Sequence, residues 1–213
     1  MLKVGLTGGI ACGKTTVGAM FVKRGAQLIQ ADQIARDLMQ PGQSVYDDVV
    51  RHYGADILNP DRTINRARLA QDAFGDGSHA SRIDELNRIV HPEVIRRQEQ
   101  WMGDVGLADP SAIAIVEAAL ILEAGTAEHF DKLIVVTCDE EQRVERFARR
   151  HQIDLTTARA EVRRRMAAQL PDAAKIAAAE KNRGFVIDNS GTLAETERQV
   201  QTVWEKLAPG ALP

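Results

Sequence analysis

Apolar residues in this chain recur in two ways. Short unbroken runs bounded by glycine or polar residues predict buried strands. Longer stretches with apolar positions three and four apart predict helices that bury one face. Leu2–Thr7 is the first short run, and Gly8-Gly9 ends it. Lys14–Arg24 follows with Val17, Met20 and Phe21 at helical spacing, and Gly25 stops it. Ala26–Gln30 is a second short run. The opening therefore predicts strand, glycine-containing loop, helix, strand, a βαβ unit with two parallel strands.

From Ala31 to about Gly106 helical spacing takes over. Ile34–Met39, Tyr46–Tyr53, Asn65–Phe74 and Ser81–Met102 predict helices, the last bent at His91-Pro92. Gly54–Thr63 reads as loop, and no strand is expected in this region. Ala112–Val116, closed by Glu117, and Leu133–Thr137 are buried strands. Asp139 is placed to N-cap the next helix, with Glu140 and Glu141 in its first turn. An Arg-rich helix over Thr156–Gln169 follows, stopped by Pro171. Phe185–Ile187 is a last strand, Leu193–Leu207 a closing amphipathic helix, and the tail beyond it is expected to fray. Strands alternating with helices predict an α/β fold with a parallel sheet and two helical excursions.

Composition changes this picture little. The 213 residues are 44% hydrophobic and 27% charged, enough for a sizeable core. A net charge of −3 gives no reason to expect nucleic acid or an anionic membrane as partner. Cys12 and Cys138 are too few for a disulfide framework and are expected to be free thiols. No segment reaches the ~20 apolar residues of a membrane span, and the first residues do not form a signal peptide. A cytoplasmic protein is expected. The oligomeric state is left open, with a monomer favoured.

Chemistry enters with Gly8-Gly9-Ile10-Ala11-Cys12-Gly13-Lys14-Thr15, which fits G-x-x-x-x-G-K-[ST] between a strand and a helix. Glycines let backbone N–H groups turn inward around phosphate oxygens, and the helix N-terminus adds to that anion site. Lys14 would face the β- and γ-phosphates, and Thr15 would offer its hydroxyl to Mg²⁺. Cys12 reads either as a small space-filler or as a thiol activated by the helix N-terminus. Asp32 follows the second strand, on the expected edge of the P-loop. It can serve as general base for a hydroxyl attacking the γ-phosphate, or as N-cap of the Ile34 helix. Glu117, at the end of its strand, stands where an acid would order Mg²⁺. Glu123 reads as a surface carboxylate at a helix end. Arg146 and Arg150 share a helix face, as do Arg165 and Gln169. These arginines suit either a lid over triphosphate or a solvated face paired with Glu145 and Glu161.

With these residues in place the chain resembles the dephospho-CoA kinase family over nearly its whole length. The carriers are Leu6-Thr7-Gly8-Gly9-Ile10 with the rest of the loop, Asp32-Gln33-Ile34-Ala35-Arg36, and His91-Pro92. Leu120-Ile121-Leu122-Glu123, Arg165-Met166-Ala167-Ala168-Gln169 and Val186-Ile187-Asp188-Asn189-Ser190-Gly191 complete the set. The resemblance implies transfer of the ATP γ-phosphate to the ribose 3′-hydroxyl of dephospho-CoA, with Asp32 as base. It also implies a P-loop core with a helical substrate-binding insertion and a helical lid. The implied boundaries are 1–33, 107–145 and 179–213 for the core, 34–106 for the substrate domain and 146–178 for the lid.

Taken together, Asp32, Lys14 and Arg146 are the expected catalytic groups. ATP is assigned to Gly8, Gly9, Ala11, Cys12, Gly13, Lys14, Thr15 and Thr16, with Arg150, Arg165 and Asn189. Arg36, His91 and Glu123 are expected at the acceptor, and Thr15 with Glu117 at Mg²⁺. Four positions depart from the family pattern: Gln30 for an aspartate, Ala119 for a proline, Arg183-Gly184 before Val186-Ile187, and Cys12 for serine or glycine. Two other functions fit the loop alone. A kinase for another small hydroxyl compound would share the core. A guanine-nucleotide switch would need an N-K-x-D loop, which Asp188-Asn189-Ser190-Gly191 does not supply.

Overall fold

The computed structural model describes residues 1–74 and 81–208, so the tail expected to fray lies largely outside the described residues. The chain divides into two units. One comprises Met1–Ile29 with the chain from Asp104 onward, and the other is Gln30–Gly103.

The first unit is built on strands β1 (Leu2–Gly8), β3 (Ile113–Glu117), β4 (Lys132–Thr137) and β5 (Phe185–Asp188), with β2 (Gln27–Gln30) completing the sheet at its edge. The order is β2-β3-β1-β4-β5. β1 pairs in parallel with β3 and β4, and β4 with β5. The central strands are buried along nearly their whole length, which is why they read as continuous apolar runs rather than alternating ones. Val4, Leu6, Ile113, Ile115, Ile134, Val136 and Ile187 are the buried strand residues of the core. Helix α1 (Lys14–Val22) adds Val17, Met20 and Phe21, and α9 (Leu193–Leu207) adds Val200, Val203 and Leu207. Gly18 lets α1 lie close to the sheet, because a Cβ there would fall 2.7 Å from Leu28 Cδ1.

Three further helices complete this unit: α6 (Glu140–His151), α7 (Leu155–Ala167) and α8 (Asp172–Lys181). α6 and α7 pack through Val144, Phe147, Ala148, Ala158 and Val162. Asp139 occupies the N-cap of α6, but its side chain makes no capping bond. α7 begins earlier than its apolar pattern suggests because Asp154 caps it, accepting from Thr157 N at 2.9 Å. It also ends at Ala167, so Gln169 does not share a helix face with Arg165 as expected. α8 was not anticipated; eight of its ten residues are Ala, Lys or Glu, and it starts directly after Pro171.

The second unit holds α2 (Ala31–Leu38), α3 (Ser44–Tyr53), α4 (Arg66–Phe74) and most of α5 (Ile83–Ala108). Ile34, Leu38, Val45, Tyr46, Val49 and Ile57 are among its buried residues. Two details differ from the expectation of bare helices and loop. Leu58 and Ile64 form an isolated antiparallel bridge, closed by Thr63 donating from N and Oγ1 to Asp61 Oδ1. α5 runs as one helix of 26 residues with Pro92 in its interior.

Candidate active site

Parallel pairing decides which residues meet. Leu6 lies opposite Glu117, Gly8 opposite Val136, and Thr137 opposite Asp188. The loop after β1, the carboxylate ending β3 and the segments after β4 and β5 therefore leave the sheet at one edge, where open α/β sheets bind ligands.

The loop itself turns through left-handed backbone. Ala11 has φ 54° and Gly13 φ 93°, both left-handed. Gly13 is the N-cap of α1, and a Cβ there would overlap the Asn189 side-chain amide. That amide donates to Cys12 O at 2.8 Å, while its oxygen accepts from Thr196 Oγ1 at 2.8 Å. Asn189 N in turn donates to Thr137 O. Lys14 Nζ donates to Gly8 O (3.0 Å) and Gly9 O (3.1 Å), so the ammonium lies folded over the loop. Thr15 Oγ1 donates to Glu117 Oε1 at 2.8 Å. Thr16, the next residue of α1, is exposed. Cys12 is fully buried in the core beside Gly8, its Sγ 2.9 Å from where a Gly8 Cβ would stand. Space-filling accounts for it without any reactive role.

The arginines separate sharply. Arg146 donates to Cys12 O (3.4 Å), Gln142 Oε1 (2.7 Å) and Asn189 O (2.8 Å), and its Nη1 lies 3.4 Å from Cys138 Sγ. Its guanidinium thus braces the segments after β1, β4 and β5. Burial pushes the Cys138 thiol up, against the opposing pull of Arg146 and Arg143. Arg150 is exposed. Arg165 contacts Glu161 at 3.6 Å and lies over the Phe147 ring at 5.0 Å. Arg159 and Arg163 pair with Glu141 and Glu140 across α6 and α7, not with Glu145. The reading of a solvated charged face fits these last arginines best.

Three groups that matter here were not among the site residues assigned from sequence, although Gln169 stood in the Arg165–Gln169 motif. Arg143, only 1% exposed, is ion-paired to Asp172, donates to Cys138 O at 2.8 Å, and sits against Gly9 where a Cβ would overlap it. Gln169 Oε1 accepts from Ile10 N at 3.1 Å. Lys175, wholly buried, places Nζ 2.9 Å from Glu123 Oε1. Glu123 also accepts from Leu170 N at 2.9 Å. It is neither a free surface carboxylate nor, in this arrangement, an open acceptor-binding group, because a buried ammonium requires its charge. Lys175 stands among Ala173, Ala174, Ile176 and Ala177, and that apolar setting was the one signal that could have marked it.

In the second unit, Asp32 is the second residue of α2 and exposed. It is not the N-cap; Gln30 holds that position without a side-chain capping bond. Arg36, one turn on, is also exposed. His91 is half-buried on α5, and burial lowers its pKa below the ordinary histidine value.

The oxygen donors Thr15 and Glu117 suit a hard divalent cation. Among the described residues no group of three or more His, Cys, Asp or Glu side chains could hold a metal alone. The remaining ligands would have to be phosphate and water oxygens, as is usual for Mg²⁺ beside a nucleotide. Among the described residues no helix is long and apolar enough to cross a membrane.

Residues 2–195 match the protein family described as dephospho-CoA kinase. A dephospho-CoA kinase of Leifsonia xyli subsp. xyli is 36% identical over 207 residues, covering 97% of this chain and 99% of the relative. Among solved structures, TT1252 from Thermus thermophilus superposes with a TM-score of 0.76 at 27% identity, covering 97% of each chain. A dephospho-CoA kinase from Campylobacter jejuni has the same fold, with a TM-score of 0.65 at 22% identity over 99% of this chain and 98% of that one.

Proposed function

The chain belongs to the dephospho-CoA kinase family, and on that premise we propose that its P-loop, Glu117 and Asp32 carry the family's reaction. The γ-phosphate of ATP passes to the ribose 3′-hydroxyl of dephospho-CoA, giving coenzyme A and ADP. The observation that carries this reading is the Thr15–Glu117 hydrogen bond of 2.8 Å beside a left-handed, glycine-hinged loop. A hydroxyl and a carboxylate held together at the mouth of an anion site are what a magnesium–triphosphate needs.

Each residue then has a task. The amides from Ala11 to Thr16 bind phosphate oxygens, with Gly8, Gly9 and Gly13 allowing the close approach. Lys14, folded onto its own loop carbonyls at 3.0 and 3.1 Å, exchanges those partners for phosphate oxygens as ATP enters. Thr15 and Glu117 would hold Mg²⁺, which neutralises charge on the β- and γ-oxygens. Asn189 and Arg146 keep the loop open by holding Cys12 O. Arg146 therefore acts on nucleotide geometry; exposed Arg150 reaches phosphate, and Arg165 does so by exchanging its Glu161 contact for phosphate oxygens. Asp32, exposed at the start of α2, accepts the proton from the attacking hydroxyl. Arg36 and His91 bind the acceptor. The reaction runs in the cytoplasm.

The test is steady-state turnover with dephospho-CoA, adenosine and AMP offered separately. Dephospho-CoA should be the preferred acceptor by kcat/KM. Turnover of AMP or adenosine with none of dephospho-CoA would overturn the proposal.

A further inference from the structure

The seven residues Gln169–Lys175 touch the nucleotide edge at three points spaced three apart. Gln169 accepts the Ile10 amide. Asp172 pairs with Arg143, whose guanidinium fills the space left by the missing Gly9 side chain. Lys175 is joined to Glu123 in the turn after β3, and Glu123 also takes the Leu170 amide. The side chains of Ile10 and Ala11 meanwhile pack against the α6–α7 cluster. We infer that Gln169–Lys175 is a positioning strap for the first half of the P-loop. Gln169 is its point of contact, and Asp172 and Lys175 are its anchors.

The physical case rests on what the loop cannot do alone. The amides that face phosphate begin at Ala11, so the Ile10 N–H needs an acceptor elsewhere, and a neutral side-chain oxygen supplies it. Ile10 directly precedes Ala11, whose left-handed φ of 54° is unfavourable for a residue with a Cβ. Fixing the Ile10 amide fixes the entry to that strained residue before nucleotide arrives, which lowers the ordering cost of binding. The anchors are strong for the same reason that they are unusual. Arg143 and Lys175 are both essentially buried, and a buried cation is tolerated only when paired. Those pairs hold the start of α8 to the P-loop side and to the turn after β3 together. Gln169 is a positioning residue: it acts on ATP through the loop.

This inference rests on the P-loop being the ATP site, and the experiment separates the two. Gln169→Met keeps length and removes the acceptor. Binding of a non-hydrolysable ATP analogue with Mg²⁺ is measured by calorimetric titration, alongside steady-state kinetics, for Gln169→Met and for Lys14→Ala. For Gln169→Met the strap predicts an analogue Kd and ATP KM raised about five- to tenfold, the worth of one hydrogen bond. KM for dephospho-CoA should stay unchanged, and the nucleotide-free melting midpoint should fall by no more than about 5 °C. Unchanged ATP affinity in Gln169→Met with lost affinity in Lys14→Ala overturns the strap alone. Unchanged affinity in both overturns the ATP-site reading as well. A rise in both KM values with a depressed melting midpoint marks Gln169 as a stability residue only, and also overturns the strap.

Discussion

Glu123→Gln isolates one of the strongest electrostatic commitments in the molecule. Lys175 is wholly buried, and Glu123, its partner at 2.9 Å, has a side chain 18% exposed. The amide oxygen of glutamine can still accept from Leu170 N, so the substitution keeps shape and that bond while removing the charge. What remains is a buried ammonium without a counter-ion, a loss of about 3–5 kcal/mol where one partner of a buried pair is removed. That is a large part of the stability of an ordinary domain. At roughly 2–4 °C per kcal/mol for a chain of this size, the melting midpoint should fall by roughly 6–20 °C. Lys175→Met combined with Glu123→Gln removes both charges and fills the site with apolar volume. That double variant should recover at least half of the loss, because the desolvation cost disappears with the charges. Urea unfolding at neutral pH on wild type, both single variants and the double variant closes the cycle. A Glu123→Gln loss below about 1 kcal/mol, or a double variant as unstable as the sum of the singles, refutes the reasoning.

Three other predictions follow from the site. Gly13→Ala forces a Cβ at φ 93° into the Asn189 amide that holds Cys12 O. Left-handed strain of about 1–2 kcal/mol adds to that displacement, so ATP-analogue affinity should fall about tenfold or more by calorimetry, and unchanged affinity would contradict it. Asp32→Asn should keep nucleotide affinity and lower kcat roughly a hundredfold, the usual size of general-base catalysis, and near-normal kcat removes Asp32 from that role. Burial lowers the pKa of His91, so near its ordinary value the unfolded chain binds more protons there than the folded one. Its contribution to stability is present above that ordinary value and is lost as pH falls through the folded value. Stability should therefore drop less between pH 7.5 and 5.5 in His91→Gln than in wild type, checked by urea unfolding; a steeper drop would reverse the sign.

The middle of the sheet was legible because β1, β3 and β4 are central and buried on both faces, so apolar runs such as Val4–Leu6 and Leu133–Val136 had no competing pattern. The P-loop was legible because glycine, lysine and threonine at fixed spacing answer to one chemistry. The less legible parts were those where long-range electrostatics decides. Nothing local says that Arg143 is buried and Arg150 is not, since both stand in one Arg-rich run; the difference is Asp172, 29 residues away. Glu123 looked like a surface group because its counter-ion lies 52 positions on, in a helix not anticipated from apolar spacing. α8 was missed because alanine carries helix propensity but little amphipathic signal. Asp139 and Asp154 show the limit of cap reading: both occupy N-cap positions, and only Asp154 makes the bond.

The central claim is a phosphoryl transfer with a defined acceptor atom. Its most direct measurement is product analysis after incubation with Mg²⁺, ATP and dephospho-CoA, locating the new phosphate on the ribose by phosphorus NMR. One equivalent of ADP should form for each new 3′-phosphate, with no product in Lys14→Ala. ADP released without a ribose phosphate, or phosphate on another hydroxyl, would contradict the account.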